Sequence, residues 1–236
     1  HPAPGFRRNP FITTFIGTPM FRLISAALLG LSTACAAATP ISDDTQTWRF
    51  KVFLDNRELG QHRFDVRETP DGSDVAISAD FEFKLMFITA FRYEHETSES
   101  WRGNCLESVR SETVQNRKRF ALEADRRDDS LAVRAQVGED ARDSALPPCV
   151  MSFAYWNPDM LAQDALLNVQ TGELIEVDTR FVGRETVELR GDAVDARRFQ
   201  IRAKDLDIDL WYSNADEWIA LESTVTGGRK LRYVLI

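Results

Sequence analysis

Few side chains in this sequence are suited to chemistry, and His95 is the first to weigh. It stands in Tyr93-Glu94-His95-Glu96, where a histidine beside a carboxylate would suit general acid–base work of the kind a hydrolase or isomerase needs. The surrounding alternation marks a strand, however, and a strand sends Glu94 and Glu96 to the face opposite His95. A partner acid would have to come from another strand. The simpler reading is a hydrogen-bonded core or pocket histidine. Asp205, Asp207 and Asp209 fall on one strand face with successive carboxylates about 7 Å apart. Calcium takes such oxygens, but only when a tight turn wraps them round one ion. Leu206, Ile208 and Leu210 demand a straight, half-buried strand instead. A solvated acidic face paired with Arg198 or Arg202 is therefore expected.

The signatures of other chemistries are missing. The sequence contains no HExxH or CxxC spacing for zinc, no GxSxG nucleophile elbow and no phosphate-cradling glycine loop. Neither a metal nor a cofactor is expected, and a non-enzymatic role is favoured over catalysis by His95.

What remains is a run of aromatics around a cysteine: Cys149-Val150-Met151-Ser152-Phe153-Ala154-Tyr155-Trp156-Asn157-Pro158. It interrupts the strand pattern and joins two halves of similar strand number, as a hinge would. Tyr155 and Trp156 sit beside a helix start, while Phe81, Phe83, Phe87, Phe91, Tyr93 and Trp101 crowd nearby strands. The plain interpretation is a large aromatic core. The functional alternative is an apolar cavity lined by some of them, with Tyr93, His95, Trp101, Phe153, Tyr155 and Trp156 as pocket candidates.

The N-terminal region bears on compartment. Met20-Phe21-Arg22, the apolar run 23–31 and the small residues 32–38 make a secretory signal peptide, with Ala34-x-Ala36 and Ala36-x-Ala38 as cleavage sites. Met20 is the expected true start, residues 1–38 the leader, and 39–46 a flexible mature N-terminus. The apolar run is too short to span a bilayer. Cys35 is a lipidation candidate, although Ser32 stands where a lipobox wants Leu, Val or Ile. An exported, periplasmic protein is expected, either free or anchored through Cys35. Of the three cysteines, Cys105 and Cys149 would then be the pair left to form a disulfide. Bridged, they close a loop of about 44 residues worth roughly 4 kcal/mol in chain entropy. Left apart, they would be two buried thiols.

The net charge of −8, with no basic stripe, disfavours nucleic acid as a partner. An apolar small molecule or lipid is the class that aromatics and export suggest.

The elements that must position these residues are strands. Trp48, Phe50, Val52 and Leu54 alternate, as do Val75, Ile77, Ala79, Phe81, Phe83 and Leu85. Strands recur every 8–12 residues between turns such as Thr69-Pro70-Asp71-Gly72 and Gly227-Gly228. Gly138–Ser144 reads as a polar loop. Asn157 is a good N-cap and Pro158 suits a first helical position, so one short helix is expected near 157–163. The expectation is a single all-β domain over 47–236, of about 11–13 mostly antiparallel strands in a strongly curved sheet or open barrel.

Five stretches carry a resemblance: Phe91-Arg-Tyr-Glu-His-Glu96, Trp101-Arg-Gly-Asn-Cys105, Cys149–Pro158, Asp205-Leu-Asp-Ile-Asp-Leu-Trp-Tyr212 and Leu221-Glu-Ser-Thr224. Through them the chain resembles an exported bacterial family catalogued as domain of unknown function 6134, over about 47–236. That resemblance implies an exported β-rich domain and no particular activity. More loosely, the layout is similar to periplasmic curved-sheet proteins that hold or hand over lipids, such as lipoprotein carriers.

Overall fold

A computed structural model describes residues 45–85 and 88–236. Residues 1–44, with the expected leader and Cys35, and residues 86–87, with Phe87, lie outside the described residues. Β1 (Thr45–Leu54) starts a series of hairpins with β2 (Arg57–Thr69), β3 (Gly72–Leu85), β4 (Ile88–Arg102), β5 (Cys105–Gln115), β6 (Lys118–Arg127), β7 (Ser130–Val137) and β8 (Asp140–Leu146). Then come three short strands, β9 (Met151–Ser152), β10 (Ala165–Asn168) and β11 (Glu173–Glu176), with a 3-10 helix at Pro158–Ala162 between the first two. Β12 (Asp178–Leu189), β13 (Asp192–Ala203), β14 (Leu206–Ser213), β15 (Trp218–Val225) and β16 (Arg229–Leu235) complete the chain.

Thirteen strands form one antiparallel sheet in the order β12-β13-β14-β15-β16-β1-β2-β3-β4-β5-β6-β7-β8. Pairing of β1 with β16 joins the two halves, Phe50 lying opposite Leu235. The sheet curls. His95 on β4 and Leu206 on β14 wall one interior space of about 240 Å³, yet their strands are six spacings apart, roughly 30 Å in a flat sheet. Inward residues follow the two-residue period: Trp48, Phe50 and Val52 on β1, and Val75, Ile77, Ala79 and Phe81 on β3, are all buried. Trp218, fully buried, gathers Phe50 at 4.1 Å, Phe64 at 5.0 Å and Tyr155 at 5.2 Å between ring centroids.

The segment after Cys149 is no hinge between halves, because the continuous sheet already unites them. It fills the concave face as a second, three-stranded sheet in the order β11-β10-β9. Here β9 and β10 pair in parallel across the helix, Leu166 beside Met151. Leu166 and Leu167 are fully buried. The disulfide Cys105–Cys149 ties the start of this insert to β5, and the Leu106 N–H donates to the Val150 carbonyl at 3.1 Å. The Asn157 side chain accepts from the Asp159 N–H at 3.0 Å, capping the helix as its sequence implies. Asn104, in the β4–β5 turn, binds both Asp159 and Asn157, so the helix closes that end of the curled sheet.

Three further sequence expectations change. The 138–144 region is not a loop: Asp140–Leu146 is a strand paired with β7. An exposed edge strand needs only backbone partners, so it carries no apolar alternation to announce it. Β1 begins at Thr45 opposite Arg67, slightly earlier than residue 47. Asp205 sits in the β13–β14 turn rather than on a strand face, while Asp207 and Asp209 pair with Arg202 at 3.6 Å and Arg198 at 3.0 Å.

Candidate functional site

The end of the sheet opposite the helix carries the β1–β2, β3–β4, β5–β6 and β15–β16 turns. There the insert and the sheet leave two adjoining spaces. The outer one, about 620 Å³, is largely apolar, with Leu54, Leu59, Phe81, Phe91 and Leu231 among its wall residues. The inner one, about 240 Å³, includes His95, Glu99, Ser152, Phe153 and Tyr155 in its wall. His62, Tyr93, Gln170 and Tyr233 line both and form the waist between them.

Local backbone features set these walls. At Gly60 the β1–β2 register shifts, so Leu59 and His62 both serve the concave side despite an odd spacing. Gly60 has a φ of 153°, and a Cβ there would lie 1.9 Å from the Asp80 carbonyl oxygen; only glycine fits. On β4, strict alternation turns Tyr93, His95, Thr97, Glu99 and Trp101 inward. Gln170 comes from the β10–β11 turn, where the Asn168 side chain accepts from the Gln170 and Thr171 N–H groups.

Several polar side chains of the interior pair with one another. His95, 6% exposed, has one ring nitrogen 2.8 Å from the Thr113 hydroxyl and the other 2.8 Å from that of Thr97. Glu99, 4% exposed, accepts from the Trp101 indole N–H at 2.9 Å and the Ser152 hydroxyl at 3.2 Å. The Tyr93 hydroxyl donates to Gln170 at 3.1 Å, and the Gln170 amide donates onward to Gln115 at 3.3 Å. His62 Nδ1 lies 3.2 Å from the Tyr233 hydroxyl. Its Nε2 is buried and has no partner among the described residues.

Burial pushes these groups toward their neutral forms. Desolvation, reinforced by the neighbouring His95, lowers the His62 pKa to about 3, and desolvation lowers that of His95 to about 4. It raises the Glu99 carboxyl to about 7, outweighing the Trp101 and Ser152 hydrogen bonds that favour the anion. Tyr93 rises to about 12 for the same reason, and burial also raises Tyr155 and Tyr233.

Of the six pocket residues expected from sequence, Tyr93, His95, Phe153 and Tyr155 come together in the inner wall. Trp101 and Trp156 stack edge-to-face at 5.6 Å in the core and line neither space. Sequence reasoning missed Glu99, His62, Gln170 and Tyr233. Glu99 was legible, since it shares the parity of Tyr93, His95 and Thr97 on an unbroken strand. Gln170 and Tyr233 gave no local signal, because they arrive from distant elements. Glu94 and Glu96, whose alternation points them outward, supply nothing to His95, and threonine hydroxyls occupy both its nitrogens. Among the described residues no cluster of metal-ligating side chains occurs, nor is any helix long and apolar enough to cross a membrane.

The model of the family described as domain of unknown function (DUF6134) matches residues 50–236, most of the chain. The chain belongs to the DUF6134 family. No curated protein matches it. Among solved structures it is similar to the beta-barrel-like protein of domain of unknown function DUF1849 from Brucella abortus. That match has a TM-score of 0.59 and 8% identity, and covers 81% of this chain and 95% of the other. At that identity the likeness shows the fold alone. It agrees with the curled antiparallel sheet of this DUF6134 member.

Proposed function

We propose that this DUF6134 protein is a non-enzymatic, exported protein of the periplasm that binds an apolar or lipid-like ligand, or assists an envelope-lipid pathway by doing so. The observation that carries the reading is the pair of adjoining spaces on the concave face. Their combined size falls within the range of small-molecule sites, and an apolar outer wall meets a few convergent polar groups. The leader-like N-terminal sequence and the Cys105–Cys149 disulfide support export to an oxidising compartment.

The test is to purify the protein from the envelope of its host, extract it with organic solvent and identify what it carries by mass spectrometry. A defined apolar species should be recovered at near-stoichiometric yield. Leu59→Trp, which fills the outer space, should lower that yield at least five-fold while the protein still unfolds cooperatively. An empty wild-type protein that also fails to take up an apolar fluorophore would sink the proposal.

A further inference from the structure

The two spaces differ in chemistry, and that difference selects a class of ligand and its orientation. Among the described residues, no lysine or arginine lines the inner space. The outer one has Arg229 in its wall, already bound to Asp55 at 3.0 Å. A carboxylate or phosphate carried inward would lie near Glu99 with no cation to meet it. A buried, unpaired charge costs several kcal/mol in practice. A cationic head fares no better. The four waist residues, His62, Tyr93, Gln170 and Tyr233, include no acid to meet it, and Glu99, the sole acid of the inner wall, lies beyond them with each oxygen already accepting a hydrogen bond.

Uncharged hydrogen-bonding groups are what the waist offers. The Tyr93 hydroxyl donates to Gln170 and, with the Thr113 hydroxyl also bound to it, keeps one lone pair. Tyr233 shares one hydrogen bond with His62, whose Nε2 is left without a partner. Whichever tautomer His62 adopts, that nitrogen is either an N–H or a lone pair. A hydroxyl can answer both. Leaving a buried ring nitrogen unpaired costs about 1–3 kcal/mol, which a ligand hydroxyl would recover where the ring turns to meet it.

We infer that the site takes a neutral amphiphile, with its uncharged oxygen-bearing end at the His62–Tyr93–Tyr233 waist and its apolar body in the outer space. This rests on the ligand-binding reading proposed above and adds the head-group class to it. Fatty-acid anions and cationic amphiphiles of the same chain length are discriminated against.

Displacement of a bound apolar fluorophore at pH 8 tests this with four probes that share one chain: decanol, methyl decanoate, decanoate and decyltrimethylammonium. Decanol and the ester should displace at roughly ten-fold lower concentration than either ion. His62→Leu should reduce that preference for decanol to about two-fold or less. Tyr233→Phe, a smaller change, should weaken decanol about three-fold and serves if the first variant does not fold. Decanoate or the ammonium probe binding as tightly as decanol would overturn the head-group class while leaving ligand binding standing. Failure of the fluorophore and all four probes to bind would instead remove the ligand-binding reading itself, and this inference with it.

Discussion

Glu99 and His95 sit on one strand face, and burial drives both toward their neutral forms, with opposite consequences for stability. The unfolded chain releases the Glu99 proton near 4.5, whereas the folded protein holds it to about 7. Its contribution is therefore complete below pH 4.5 and fades as pH rises through 7. His95 takes up a proton near 6.5 when unfolded but only near 4 when folded. Its contribution is complete above pH 6.5 and is lost as pH falls toward 4. Between pH 7 and pH 5 the two effects oppose each other. Glu99→Gln should therefore steepen the loss of stability over that interval by about 2 kcal/mol relative to wild type, and His95→Gln should flatten it by a similar amount. Urea unfolding at pH 7, 6 and 5 measures both slopes. Identical slopes in all three proteins would show that neither group is buried as described.

The insert is the element on which the interior depends, and two features hold it. One is the Cys105–Cys149 disulfide, which closes a 44-residue separation. Replacing both cysteines by serine should cost roughly 4 kcal/mol, seen as a lower urea midpoint that reductant no longer changes. The other is Gly172 in the β10–β11 turn. It has a φ of 73°, and a Cβ there would meet Ala135 at 2.8 Å and Leu122 at 2.9 Å on the concave face of β6 and β7. Gly172→Ala should lose about 2–3 kcal/mol, from the left-handed backbone and the clash together. Hydrogen exchange should localise the opening to 165–176. Protection unchanged there would mean that the turn is not seated against the sheet.

On the scale of the whole molecule, an open sheet has two edges, and this one protects them unequally. Β8 is short and exposes Asp140, Arg142, Asp143 and Ser144, a form that discourages pairing with other chains. Β12 exposes Phe181 at 56% and Val182 at 47% beside the Gly183 bulge. Concentration-dependent self-association should arise at that edge. Phe181→Lys should reduce it several-fold in sedimentation velocity without altering the unfolding midpoint by more than about 0.5 kcal/mol. Equal association of the two proteins would place the contact elsewhere.

Local period and local chemistry alone specify the antiparallel β class and the helix cap at Asn157-Pro158, and leave Cys105 and Cys149 as the candidate pair that the structure joins. The inward face of β4 follows in the same way. Along a strand the two-residue alternation identifies which side chains share a face, and with it Glu99 could have been found. That Cys149–Pro158 begins an insert rather than a hinge depends on β1 pairing with β16 across nearly the whole chain, which no local pattern reveals. The tertiary structure also decided that the aromatics divide between a packed core at Trp218 and the walls of two spaces. Curling brings His62, Tyr93, Gln170 and Tyr233 from four elements to one waist, and the curl arises from twist summed over thirteen strands. Long-range register of that kind leaves no mark in any local window of sequence.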